Sequence, residues 1–399
     1  MKKSFLVISL IAGIIVVIVS CSKLEPAAPA EDQILDGTVE GLNYAQNAQF
    51  LAGDKAFNKE IFTRETGLGP VFVATSCRSC HNGDGKGHPF STLTRFGQTD
   101  STGNQFLSMG GPQLQDRALP GFTPEHIPAG ATFANFTPPG NTGLGFIELV
   151  SDADILAMSD PGDANGDGIS GVPNWNGVPG FVTVPVNAAT RNGKHICRFG
   201  KKGATFNLLQ QTVTAYNQDI GITSTFNPYD VYSGNSTDPE ISDNTIRNVT
   251  AYLQTLKAPI QRNQNDADVI AGKQLFISAN CSGCHKPQLQ TGFSPVDALS
   301  YKTFAAYTDL LLHDMGAGLD DGYTEGTAKT SEWKTPPLWG LGLAPNSQGG
   351  QYFLLHDGRA KSIEEAIQMH GGEASNAKNN FNALNEGERQ KIIKFLKSL

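Results

Sequence analysis

Two stretches, Cys77-Arg78-Ser79-Cys80-His81 and Cys281-Ser282-Gly283-Cys284-His285, repeat one pattern, Cys-x-x-Cys-His, in a chain of 399 residues. Two thiols at this spacing reach the two vinyl groups of one porphyrin, and the next residue sets its imidazole under the iron, so the pattern is the attachment signature of c-type haem. Other readings exist. A four-cysteine zinc site could draw on both pairs, but they lie some 200 positions apart. A thioredoxin-like redox pair needs a βαβ context that neither stretch shows. Structural disulfides suit an exported chain, yet none of these alternatives accounts for His81 and His285. The expectation is two covalently bound haem c groups, attached through Cys77, Cys80, Cys281 and Cys284, with His81 and His285 as axial ligands. Cys197 is left over and reads as a small buried apolar residue.

Working outward, the chain begins as an address. Lys2 and Lys3 precede a nearly unbroken apolar run, Phe5 to Val19, too short for an ordinary spanning helix and right for a secretory leader. The run ends Ile18-Val19-Ser20-Cys21, similar to a bacterial lipoprotein box, with Cys21 as the lipidated residue; a plain signal peptide beside a chance cysteine is the alternative. Residues 1–20 are therefore read as a lipoprotein signal and 21–40 as a flexible tether, which predicts a periplasm-facing lipoprotein on a bacterial membrane surface. Thirty basic residues against 38 acidic ones give a net charge of −8, a poor balance for gripping phosphate backbones, so no nucleic-acid partner is expected. The 44 glycines and 22 prolines favour short helices joined by long loops.

The chain also repeats itself. Asp268 to Phe276 reads as a helix leading into the second motif, and Phe57, Ile61 and Phe62 lie at helical spacing before the first. Tyr252-Leu253-Gln254-Thr255-Leu256 and Phe395-Leu396-Lys397-Ser398-Leu399 are near-copies closing the two halves, and Ala258 to Asn265 reads as a linker. The predicted fold is mainly α, with two cytochrome-c-like haem domains, 41–260 and 261–399. The first is enlarged by an insertion of about 60 residues.

Ser362-Ile363-Glu364-Glu365 has capping-box spacing, so a helix should start there. Ile363, Ala366, Ile367 and His370 then share one face, which aims His370 with the apolar stripe at the second haem, while Met369 is rotated off it. His370 is the candidate sixth ligand; a helix-end histidine touching a propionate is the alternative. Asp163-Ala164-Asn165-Gly166-Asp167-Gly168 matches the first half of a calcium loop, with Asp163, Asn165 and Asp167 at positions 1, 3 and 5. Asn174 replaces the usual Glu at position 12, and a plain Asx-rich turn is the alternative.

The chain resembles the bacterial di-haem oxidoreductase family, relatives of the di-haem cytochrome c peroxidases. Besides the haem motifs, the residues that carry the resemblance are Gly67-Leu68-Gly69-Pro70, Gly110 to Gln115, Asp163 to Gly171, Arg198-Phe199-Gly200, Tyr307 to Gly316, Lys334 to Trp339 and His356-Asp357-Gly358-Arg359. The resemblance implies that electrons enter at the His285/His370 haem and that the His81 haem is the reactive one. Matching from Arg198 onward puts Gln211 and Asp219 at its distal Gln and acid, although a solvated helix face explains the same pair. A carboxylate there would take a proton from bound H2O2 and return it to the leaving oxygen. His88, Met109, His126 and His195 are each open as a removable ligand, and His356 is expected to be structural. Where much of the family reads Arg-Phe-Gly-Trp, this chain has Lys201, so no tryptophan relay is expected there; Trp175, Trp333 and Trp339 read as core. The expected activity is peroxidase-like, with a small redox protein as electron donor and H2O2 as oxidant. A pure electron-transfer cytochrome, or an oxidase of an organic or protein substrate working through high-valent iron, are the alternatives. A structural Ca²⁺ is implied at the Asp163 loop.

Overall fold

The protein is described from a computed structural model that places residues 29–100 and 103–399; the apolar leader, Cys21 and the tether up to residue 28 lie outside the described residues. Two helix pairs organise the chain, and they are copies of each other. In the first, Tyr44–Lys59 starts at a reciprocal capping box between Asn43 and Gln46 and packs against Asp243–Thr255, which Ser242 caps. In the second, Ala267–Ser278, capped by Asp266, packs against Glu386–Ser398, which opens with a capping box between Asn385 and Glu388. Both crossings are built on glycine. A Cβ on Gly53 would lie 2.1 Å from the Asn248 carbonyl oxygen, and one on Gly272 would lie 2.0 Å from that of Lys391. Only a residue without a side chain lets the helices come this close.

One turn further on, each pair presents a phenylalanine to its histidine. Phe57 packs on Tyr252 with ring centroids 5.4 Å apart and lies 5.9 Å from the His81 ring. Phe276 packs on Phe395 at 5.4 Å and lies 6.4 Å from His285. Tyr252 and Phe395 are the first residues of the two near-copies, so the repetition in sequence is also one in space. Residues 35–399 form one compact unit, and the described residues before it, 29–34, carry only the turn Glu31–Gln33. The core around the first pair also takes in Leu289, Phe304, Leu310, Leu311 and Trp339 from the second half of the chain. Among the described residues, no helix is long and apolar enough to cross a membrane.

The expectation of a mainly α fold is corrected. The described residues include thirteen short strands in six small antiparallel sheets, so the architecture is mixed α/β. The longest ladder pairs Leu93–Phe96 with Phe133–Phe136; the only three-stranded sheet among them joins Asn174–Asn176, Lys194–Cys197 and Thr190–Arg191. Long glycine-rich loops still have to satisfy their buried backbone groups, and here they do so by pairing with each other. Two local expectations shift as well. The helix before the first motif ends at Lys59: Ile61 is exposed, and the Phe62 amide donates to the Thr75 carbonyl at 2.8 Å. The stretch expected to be tether up to residue 40 is pinned at its end. The Val39 amide donates to the Thr255 carbonyl at 2.8 Å, and the Gly37 carbonyl accepts from Lys257 at 2.9 Å.

Candidate functional site

Cys77–Cys80 makes one helical turn, capped by Ser76, whose hydroxyl accepts from the Ser79 amide at 3.2 Å. Cys281–Gly283 makes the matching tight turn after Asn280, whose φ of +63° starts it. Gly283 packs closely: a Cβ there would lie 2.5 Å from the Ile169 side-chain end. Both turns and both following histidines line one cavity of about 920 Å³, near the top of the roughly 300–1,000 Å³ that single-ligand pockets span.

The chemistry of the donors fits haem. His81 Nδ1 donates to the Pro139 carbonyl at 3.0 Å and His285 Nδ1 to the Tyr307 carbonyl at 3.0 Å. A proton fixed on Nδ1 leaves the Nε2 lone pair free for a metal, and the carbonyl sets the ring's orientation. Burial pulls both rings down to about 4, so they stay neutral. Burial also pushes Cys77, Cys80 and Cys281 up to about 12. The cavity wall also holds the Tyr216 hydroxyl, a buried polar atom with no protein partner. The four cysteines do not gather into one metal site, because the only ligand cluster among the described residues is Cys284–Asp309–His313. Cys197 is buried in an apolar cluster with Val182 and Phe206, as expected of it.

His370 reaches the same cavity. Ser362 caps the helix Ile363–Gln368 by accepting from the Glu365 amide at 3.0 Å, and Ile363, Ala366, Ile367 and His370 all line the cavity. The helix stops before His370, whose Nδ1 donates to the Ala366 carbonyl at 2.7 Å, leaving Nε2 free as in the other two histidines. Met369 packs into the apolar cluster of the second helix pair instead.

Around the first motif the structure brings together residues that lie far apart in sequence. Gln211 and Asp219 both line the cavity from the helix Leu208–Ile220. The glutamine that meets Asp219, however, is Gln113, whose amide donates to the Asp219 carboxylate. Arg95 Nη1 in turn donates to Gln113 Oε1 at 3.4 Å and to Gln218 Oε1 at 3.3 Å, and its Nε pairs with Glu325 at 2.6 Å. Burial raises the Asp219 carboxyl to about 6, against the pull of Gln113 and Arg95. Gln113 lies within the Gly110 to Gln115 stretch that carries the family resemblance, the one signal that pointed to it. None of His88, Met109, His126 and His195 lines the cavity. His356 does line the cavity, stacked on Trp333 with centroids 3.6 Å apart and bonded to Asp321 at 2.7 Å. Trp175, Trp333 and Trp339 are all buried in the core.

The Asp163 loop closes on itself. Asp163 accepts from the Gly168 amide, Asn165 from that of Asp167 and Asp167 from that of Ile169, at 2.9 to 3.2 Å. Its far end is tied to the second motif through Glu373, which accepts from Ser170 Oγ at 2.7 Å and from His313 Nδ1 at 2.8 Å. His313 also donates to Asp309 at 2.9 Å and lies 3.6 Å from Cys284 Sγ. Burial opposes a charge on His313, but bonds to Asp309, Cys284 and Glu373 outweigh it and push the ring well up, so an imidazolium sits beside the second motif.

A model of the family described as "Di-haem oxidoreductase, putative peroxidase" matches residues 137–399. The chain belongs to this di-haem oxidoreductase family, and haem is the cofactor class of that family. The matched span contains Cys281 to His285, His370, Gln211 and Asp219, whereas Cys77 to His81 and Gln113 precede it. A solved structure of hydrazine synthase from Kuenenia stuttgartiensis is 14% identical, covers 94% of this chain and 98% of that one, and has a TM-score of 0.37. A likeness of that grade carries no argument about fold or activity. No curated protein matches the chain.

Proposed function

We propose that this protein is an exported di-haem c-type oxidoreductase that reduces a small oxidant such as H2O2 at the N-terminal site with electrons entering through the C-terminal one. The observation that carries the reading is the Gln113–Asp219 pair beside the first motif, in a cavity that also holds the second. Cys77, Cys80 and His81 would hold one haem, and Cys281, Cys284 and His285 the other, with His370 as its sixth ligand. Bound at the first site, haem iron supplies the redox chemistry that splits an O–O bond. The chain's part is proton handling. Asp219, titrating at about 6, takes a proton from the oxidant's near oxygen and returns it to the departing one. Gln113 holds the carboxylate through its amide, and Arg95 fixes Gln113, so the acid does not have to reorganise during the step. The electron donor is a small redox protein. Cys21 attaches the chain to a membrane surface through lipid, facing the periplasm. A Ca²⁺ ion at Asp163, Asn165 and Asp167 belongs to the same reading, supported by position-1, -3 and -5 oxygens with a glycine at position 6.

The test is steady-state oxidation of a reduced small cytochrome by H2O2, using holoprotein whose covalent haem has been counted by pyridine haemochrome. Turnover by the wild type and its loss in D219A support the reading. Two haems per chain without any turnover leave an electron carrier instead.

A further inference from the structure

Lys201 and Lys202 are neighbours with opposite circumstances. The Lys202 ammonium is fully satisfied: it donates to the carbonyls of Lys329, Thr330 and Glu332 at 3.0, 3.0 and 2.7 Å and lies 3.8 Å from the Trp333 ring centroid. Lys201 lines the cavity and has one neutral contact, to Thr137 Oγ1 at 3.1 Å. Lys86 and Lys334 line the same cavity, and among the described residues neither they nor Lys201 has a carboxylate within ion-pair distance. The acids whose fields reach them are engaged elsewhere: Asp309 bonds His313, and Asp357 pairs with Arg359 at 2.6 Å. Three ammonium groups lining one cavity without a counter-charge are costly, and an anion among them would relieve the cost.

The backbone shows where this cluster stands. Lys201 reaches Thr137, two residues before Pro139, whose carbonyl orients His81; the Gly87 amide, next to Lys86, donates to the Pro138 carbonyl at 2.9 Å. On the other side, the Lys334 amide donates to the Lys201 carbonyl at 3.2 Å. Thr335 beside it accepts from Thr308 at 2.6 Å, and Thr308 follows Tyr307, whose carbonyl orients His285. The lysines therefore lie between the two segments that hold the proximal histidines. Mutual repulsion is felt there: burial first, then Lys86 and Lys334, pull Lys201 down to about 7, and burial takes Lys86 and Lys334 to about 8.

We propose that Lys86, Lys201 and Lys334 form a carboxylate-binding cluster between the two motifs that takes the haem propionates, with Lys201 serving both haems. The assignment rests on the di-haem reading above. It gives the lysines their counter-charges and makes the cluster an electrostatic link between the two redox centres, since a positive charge in a low-dielectric site disfavours ferric iron.

The test measures both midpoint potentials of full-chain holoprotein by spectroelectrochemistry at pH 7, for wild type, K86Q, K201Q, K334Q and K201R, with haem counted in each. K201Q is expected to lower both potentials, K86Q and K334Q at least one each, and K201R to restore the wild-type values. Should K201Q fail to assemble, K201R is compared with wild type by resonance Raman, where the propionate bending band must shift. Unmoved potentials in K201Q with two haems present, or an unmoved band in K201R, overturn the assignment. So does a lysine-dependent spectral change on adding acetate to the wild type, which would show that the cluster serves a free carboxylate. A purified wild-type chain that carries no haem would instead overturn the di-haem reading itself.

Discussion

Replacing Asp219 by asparagine should make the protein more stable and less active at once. In the folded chain the carboxyl titrates at about 6, against an ordinary value of 3.8. A carboxyl whose folded pKa is raised binds its proton more tightly when folded, so wild-type stability falls as pH rises from about 3.8 to about 6 and stays reduced above. Two pKa units correspond to about 3 kcal/mol. Asparagine has the same shape, carries no charge and still offers an oxygen to Gln113, so D219N should escape that penalty. Urea unfolding of holo wild type and D219N at pH 4 and pH 8 measures the effect. The variant should match wild type at pH 4 and exceed it by about 3 kcal/mol at pH 8, while H2O2 turnover drops by roughly 100-fold or more, the scale of a lost general acid–base. Equal stabilities at both pH values, or a D219N that unfolds more easily at pH 8, would refute the argument that Asp219 is held at a cost for chemistry.

G53A and G272A should each lose about 2–3 kcal/mol in chemical denaturation despite a gain in helix propensity, because the crossings must open by more than 1 Å; unchanged midpoints would contradict the close approach. H370M should raise the midpoint potential of the second haem by on the order of 0.1 V, since thioether favours ferrous iron, whereas no change in potential or spectrum would remove His370 from the iron. Treating holoprotein with a chelator should lower the melting temperature, with recovery when Ca²⁺ is added at about 100 times its Kd, worth about 2.7 kcal/mol. A melting curve indifferent to Ca²⁺ would leave the Asp163 loop held by its own Asx turns alone.

What could be read from the sequence was local or repeated. The Ser362 capping box announces its helix within four residues, and the cap is in place. The Tyr252 and Phe395 near-copies announce the duplicated helix pair, and the i, i+3, i+4, i+7 stripe puts His370 in the cavity even though the helix stops short of it. The ribbons were missed because strands of two to four residues carry no usable alternation, and their partners lie up to 47 positions away, as Val71 and Ala118 do. Gln113 was missed for the same reason: it joins Asp219 across 106 positions, while Gln211 on the same helix as Asp219 drew attention by proximity. In the sequence Lys201 marks only the absence of a tryptophan. Its meaning as a charge emerges only when the fold brings Lys86 and Lys334 to the same space.

The measurement closest to the central claim is low-temperature electron paramagnetic resonance of the purified holoprotein, fully oxidised and then half-reduced, with Ca²⁺ present. An iron whose distal side faces Gln113 and Asp219, rather than a second histidine or methionine, should give a high-spin ferric signal in at least one of the two states, beside the low-spin signal of a bis-histidine partner. Two low-spin signals that persist unchanged through half-reduction and on adding H2O2 would contradict an open first site and leave a protein that only carries electrons.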